Sequence, residues 1–276
     1  LVRSKLPVFA PPVTWRTGIR TAVSGVRRAD LEPSLPSTLE GQVQANLQQI
    51  WARIDAAAAR ALREPNSIRI VAVTKSQPSE FVRAAHAAGL RLIGENRVEE
   101  AGPKQAALLD LTGLEWHMVG HIQSRKVRRV AASFTMVHTV DRAKIAELLD
   151  REVGSQGHEL QVLLECNVSG ESSKWGWPLA DRLGWPEAAA EFERLASLPH
   201  LEVRGLMTMA PWTEEPEAVR PVFRRLRELR DFLQQATSKI WPELSMGMSD
   251  DFEVAVEEGA TILRLGRALF GPRPPI

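Results

Sequence analysis

One lysine closes the strand-like run in "SIRIVAVTKSQPSEF", residues 67–81. The run is mostly apolar and β-branched, and Ser76, Gln77 and Pro78 after Lys75 are residue types that stop strands and start helices. A cation at the end of a buried strand is costly unless something uses it. An amine there has two chemical uses. It pairs with an anion such as a phosphate, or in its neutral form it makes a Schiff base with an aldehyde. The second use needs a lowered pKa, which partial burial and a nearby cation such as Arg264 supply.

Two further stretches carry chemistry. "ELSMGMSDDFEVAVEEG" runs from a strand through Gly247 and Ser249 into a helix, and "TILRLGRALFG" runs from a strand through Gly266 into a short helix. Glycines at these points let a backbone approach an anion closely, and free N–H groups at a helix start point at it. A lone glycine reads as an ordinary tight turn. Two glycine-bearing strand ends in succession favour a phosphate site, with Lys75 as its ion-pair partner or as a Schiff-base amine. Spacing alone slightly favours the ion pair.

These residues need a scaffold that brings them together. Strand-like runs fall at 68–75, 91–96, 115–120, 134–140, 160–168, 201–209, 243–248 and 261–266, separated by segments of helical length. Eight such units predict a (β/α)8 barrel, a single α/β domain whose strand C-termini meet on one face. An open doubly wound sheet is the alternative, but the first turn, "TKSQPS", lacks the glycine-rich nucleotide signature. On the barrel reading the converging ends carry Lys75, Glu95, Asn96, His121, His138, Asp141, Asn167, Ser169, Thr208, Ser249, Arg264 and Gly266. Strand 8 pairs with strand 1, which sets Lys75 beside the phosphate turn. Before the first strand, "STLE" reads as a capping box, Ser37 with Glu40, opening a helix of about 25 residues with Leu39, Val43, Leu47, Ile50 and Ile54 on one face.

Composition bounds the remaining choices. The chain has 276 residues, 44% hydrophobic and 25% charged, an ordinary globular balance with one cysteine and therefore no internal disulfide. No apolar run approaches the roughly 18–20 residues of a membrane span, and a cytoplasmic protein is expected. Residues 1–29 hold six basic residues and no acid, so the rest carries 29 basic against 34 acidic groups, about −5. A mildly acidic body argues against a nucleic-acid partner. Residues 1–36 read as a disordered basic arm, a transit peptide, or upstream translation joined to the gene, since residue 1 is Leu; residues 37–276 read as the barrel.

The motifs "VAVTKSQP", "IGENRVEE", "EWHMVGHIQSRK", "HTVDR", "RGLMTM", "MGMSDDFEVAVEEGAT" and "LRLGRALFG" together resemble the pyridoxal 5′-phosphate homeostasis family, from about Leu39 to Gly271. The resemblance implies a barrel like the N-terminal domain of alanine racemase, without its C-terminal β domain. It also implies pyridoxal 5′-phosphate (PLP) held by Lys75 as an internal aldimine. Ser249 and Gly266 match the phosphate-binding positions, with the Arg267 N–H at the helix start as a further donor, and Met248 counts among the cofactor-binding residues. Asn96 matches a position near the ring, and Arg264 the arginine facing the pyridine nitrogen. Arginine cannot protonate that nitrogen as a carboxylic acid can, so the ring is a weak electron sink and storage is favoured over carbanion chemistry. The implied function is buffering or delivery of PLP in vitamin B6 homeostasis, with PLP-requiring apoenzymes as partners, a monomeric state and no robust catalysis. Departures from the family pattern stand at Arg97, His121, Arg125 and Arg267, the last where a threonine hydroxyl is usual.

Two enzyme readings compete. An amino-acid racemase needs an acid/base on each face of its substrate, and this chain contains no tyrosine to match the second base of alanine racemase. A Schiff-base aldolase on the same barrel fits Lys75 but not its neighbours. His117 and His121 do not suggest a metal, since four strand residues at roughly 3.3 Å each part them by about 13 Å. The arginines at 220, 224, 225, 227 and 230 read as a solvated helix face. Trp175, Trp177 and Trp185 read as a cover for the barrel mouth or a partner surface, and Cys166 as buried packing. If the arm is dispensable, a chain beginning at Ser37 binds PLP as tightly as the full chain in a fluorescence titration; loss of binding would make the arm structural.

Overall fold

The computed structural model describes residues 38–237 and 239–272. Ser37 and residues 1–36 lie outside the described residues, so the arm and half of the expected capping box do as well. The first helix, α1 (Leu39–Arg60), is instead capped by Thr38, whose hydroxyl accepts a 3.1 Å hydrogen bond from the Gly41 N–H. Its 22 residues bury Val43, Leu47, Ile50 and Ile54 on one face, as the spacing predicts.

Eight parallel strands follow: β1 (Arg69–Val73), β2 (Leu92–Glu95), β3 (Glu115–Met118), β4 (Met136–Val140), β5 (Leu160–Asn167), β6 (Leu201–Met207), β7 (Glu243–Ser245) and β8 (Ile262–Leu265). Each pairs in parallel with the next, and β8 pairs with β1 through Ala72↔Leu265 and its neighbours, so the sheet closes into a barrel. The strands are shorter than their sequence runs, because the polar residues at their C-terminal ends turn away into loops. A two-residue strand, Trp177–Pro178, adds to the edge of β5 and had no sequence signal.

The connecting helices are α2 (Ser79–Ala87), α3 (Val98–Ala107), α4 (Val127–Ser133), α5 (Ala143–Gln156), α6 (Trp185–Leu195), α7 (Arg220–Thr237) and the short α8 (Phe252–Glu257), with α9 (Arg267–Phe270) after β8. The larger core lies between sheet and helices; a second cluster of Val71, Val119, Met136, Leu163, Met207 and Ile262 fills the barrel interior. Residues two positions further along these strands therefore point inward one layer nearer the mouth.

The α7 arginines do more than face water. Arg220, Arg224 and Arg227 converge on the buried Glu258 at 3.1, 3.3 and 3.0 Å, and Arg225 donates to the Val168 carbonyl at 2.8 Å. A helix-face pattern does not reveal the partner because Glu258 comes from the segment after α8. Phe223, Leu226, Leu229 and Leu233 are buried on the opposite face.

Candidate functional site at the barrel mouth

Lys75 sits two residues beyond the end of β1 in a tight turn. Gln77 N–H donates to the Thr74 carbonyl at 3.0 Å, and Ser76 adopts a left-handed φ of 60°, unusual for a non-glycine residue. The Glu100 carboxylate holds the strained Ser76 N–H at 3.0 Å. Beneath the turn, Lys104 from α3 donates to the Thr74 carbonyl at 2.7 Å and to Glu95 Oε1 at 2.6 Å, and the Thr74 hydroxyl donates to the same Glu95 oxygen at 2.6 Å. Burial pushes the Glu95 carboxyl up, against the hydrogen bonds from Lys104 and Thr74. This cluster fixes the residue before Lys75, and Lys104 carried no sequence signal because its role depends on α3 folding back.

The second element is the turn built from the β7–α8 and β8–α9 connections. Ser249 Oγ accepts the Ala268 N–H at 3.0 Å, linking the two loops. The Met248 N–H donates to Asp251 Oδ1 at 2.6 Å, closing the Gly-Met-Ser-Asp-Asp turn on itself. Gly247 has φ 93°, and a Cβ there would meet the Ala255 Cβ at 2.6 Å, so only glycine fits. Gly266 lies against β1, where an added Cβ would stand 3.3 Å from the Val73 carbonyl oxygen. The turn is thus beside the Lys75 strand, as barrel closure requires. Asn46 of α1 donates to the Leu269 carbonyl at 3.0 Å and braces α9 from outside. The Arg267 guanidinium pairs with Asp250 of this turn.

Arg264 projects inward from β8 and is 5% exposed. It donates to Ser245 Oγ at 2.7 Å and to the Thr208 carbonyl at 2.9 Å. His138 Nδ1 lies 2.8 Å from Ser245 Oγ, and His138 Nε2 lies 3.0 Å from His117 Nδ1. Burial pulls the His117 ring down to about 3 and drives His138 well below its ordinary range, with the cations Arg264 and Arg69 adding to the effect, so both rings are neutral. The hydroxyl of Ser245 then donates to His138, and His138 to His117, a direction that leaves no inner donor of the chain unused. Burial pulls Arg264 down to about 10, opposed by the Asp251 and Glu165 carboxyls, and it remains cationic. His117, discounted for a metal, has its place in this chain.

Two acids sit on the opposite wall. Glu165 on β5 is 2% exposed, and burial with the nearby Asp141 charge raises its carboxyl to about 7. Asp141 is bridged by Arg142 at 2.6 Å and lies 3.0 Å from His121 Nδ1, off the line of a hydrogen bond. The His121 ring stacks on Trp175 at a centroid distance of 4.1 Å, which puts Trp175 at the mouth. The other two tryptophans pack: Trp177 donates to Glu191 and Trp185 to the Leu179 carbonyl. Cys166 is buried and its thiol is pushed well up by desolvation, as expected for a packing residue. Asn96 borders a cavity of about 270 Å³ with Arg97, His121 and Lys126, whose lining includes neither Ser249 nor Gly266.

With this geometry the relatives are informative. Residues 45–274 match the family model described as "Alanine racemase, N-terminal domain". The chain is 43% identical over 228 residues to a pyridoxal phosphate homeostasis protein of Aquifex aeolicus, covering 82% of this chain and 96% of that protein. It is 46% identical over 231 residues to the Pseudomonas aeruginosa protein of the same name, covering 84% and 96%. The chain belongs to the pyridoxal phosphate homeostasis proteins. Among solved structures, PipY of Synechococcus elongatus with PLP bound matches with a TM-score of 0.68 at 38% identity, covering 79% of this chain and all of that one. Alanine racemase of Clostridium difficile matches in fold alone, with a TM-score of 0.61 at 16% identity over 85% of this chain and 57% of that one.

The Lys104–Glu95 pair gives a direct test of how the Lys75 turn is held. Its side chains are 11% and 0% exposed. Removing one partner of a buried pair costs about 3–5 kcal/mol because the other charge is stranded. Lys104→Met is expected to lower unfolding stability by about that amount in urea denaturation; a loss under about 1 kcal/mol would show that the pair does not brace the turn.

Proposed function

We propose that this protein binds pyridoxal 5′-phosphate through Lys75 and buffers or delivers it to PLP-requiring apoenzymes. The observation that carries the reading is the meeting of Lys75, the Ser249–Gly266 turn and the inward Arg264 at one barrel end, across the β8–β1 closure. The residues fit such a ligand. The turn offers small residues and backbone donors to a phosphate, with Met248 and the Arg267 N–H assigned to its rim and Asn96 assigned to the ring in this reading. Arg264 is a buried donor, and the wall opposite holds a carboxyl oxygen of Glu165 without a hydrogen-bond partner. PLP supplies an aldehyde that condenses with an amine and a ring that withdraws electrons.

The chain's own residues favour holding over turnover. Arg264 has Ser245 and Thr208 as acceptors, so its guanidinium keeps a donor-only character toward anything it meets. A donor facing the pyridine nitrogen leaves that atom without a proton to take. The relatives' names and the PLP-bound PipY support this reading over a racemase. No described helix is long and apolar enough to cross a membrane.

Titration with PLP should give the wild type a visible absorption band that Lys75→Ala lacks. The loaded protein should exchange the α-hydrogen of alanine with deuterated solvent no faster than free PLP does. Stereochemically complete racemisation of alanine would contradict the carrier reading.

A further inference from the structure

Glu165 is a buried acid that the fold does not use. It follows Leu163 by two residues on β5, and Leu163 belongs to the cluster filling the barrel interior, so Glu165 faces inward one layer nearer the mouth. Its main chain is paired with Met207 of β6. Its side-chain Oε2 is buried and makes no hydrogen bond, an arrangement that ordinarily costs stability and that native folds keep where a ligand supplies the partner.

The surroundings determine which partner suits it. Asp141 from the end of β4 presents a second carboxylate, itself bridged by Arg142 and set against His121. Arg264 from β8 presents a cation that draws the Glu165 carboxyl the other way. His138 on β4 is neutral, and Met207 and Thr208 on the β6 side carry no charge. A like charge and a dry site outweigh one cation, so the carboxyl holds its proton near neutrality and is a donor rather than an acceptor. A neutral carboxylic acid in a dry pocket, coupled to the same guanidinium that reaches the bound ring, is arranged to meet an electron-rich oxygen.

We propose that Glu165 is a cofactor-contact residue whose protonated carboxyl donates a hydrogen bond to an acceptor oxygen of the bound ligand. The inference rests on the PLP reading above and adds a residue and a protonation state to it. Ionisation of Glu165 removes the donor and sets a second carboxylate facing the ligand oxygen, so the site weakens its hold and changes the ligand's absorption as pH rises through the group's titration. The protein would then release its cofactor more readily in alkaline than in slightly acidic solution.

The test uses PLP-loaded full-length protein, with the visible spectrum followed from pH 5.5 to 9 and retention measured after gel filtration. In the wild type the band should change with a midpoint near 7, and retention should fall over the same range. Glu165→Gln, which still donates but cannot ionise, should lose that transition while retaining most of the cofactor. Glu165→Leu, which cannot donate, should bind about tenfold more weakly or worse at pH 6, the size of one lost charge-assisted hydrogen bond. Circular dichroism of each cofactor-free variant separates unfolding from lost contact, and the Glu165→Gln profile decides the matter if Glu165→Leu does not fold. A transition near 7 that persists in Glu165→Gln, or wild-type affinity in a folded Glu165→Leu, overturns the inference while leaving the Lys75 reading intact. Absence of any Lys75-dependent band in the wild type overturns both.

Discussion

The closing contact between the first and last barrel strands is the constraint on which the site depends. Parallel pairing from Arg69↔Ile262 to Ala72↔Leu265 places the residues that follow these strands side by side. One side delivers Thr74 and Lys75, the other Gly266 and the start of α9. Neither half gathers these groups by itself, because the amine and the backbone turn lie almost two hundred positions apart in the chain. Elements far from the mouth serve the same contact. Asn46 braces α9 from the outer helix, and Lys104 holds Thr74 from α3.

One hydrogen-bonded line of polar side chains crosses the interior of the barrel. Arg264, Ser245, His138 and His117 form a hydrogen-bonded chain from β8 to β3, surrounded by the aliphatic cluster of Val71, Val119, Met136, Leu163 and Ile262. In so dry a setting a satisfied network is rigid, and an unsatisfied member is costly. Arg264 is therefore held in one orientation before any ligand arrives. Toward anything that enters the mouth, a guanidinium fixed in this way presents donors only.

Much of this was legible in the sequence, for physical reasons. The eight strands announce themselves because parallel strands buried on both faces read as short apolar runs, and β1, with Ile70, Val71, Ala72 and Val73, is a clear instance. Lys75, Ser249 and Gly266 were legible because a polar or glycine residue at the end of such a run contrasts with it. What the pattern hid are the tertiary partners. The α7 arginines look solvated until Glu258 arrives from another segment, and Arg267 has no visible partner until the fold brings Asp250 to it. His117 and His138 sit in the neighbouring strands β3 and β4, and only the register between them makes the two a pair. Glu165 was hidden by its neighbours, since "LLECN" reads as a buried run in which a lone acid has no stated partner.

On the reading proposed above, Lys75 is the amine that holds the cofactor. Borohydride reduction of the PLP-loaded protein, followed by proteolysis and peptide mass mapping, tests it most directly. The account predicts the pyridoxyl mass on the peptide containing Lys75; the same mass mainly on Lys174, or on no lysine at all, would contradict it.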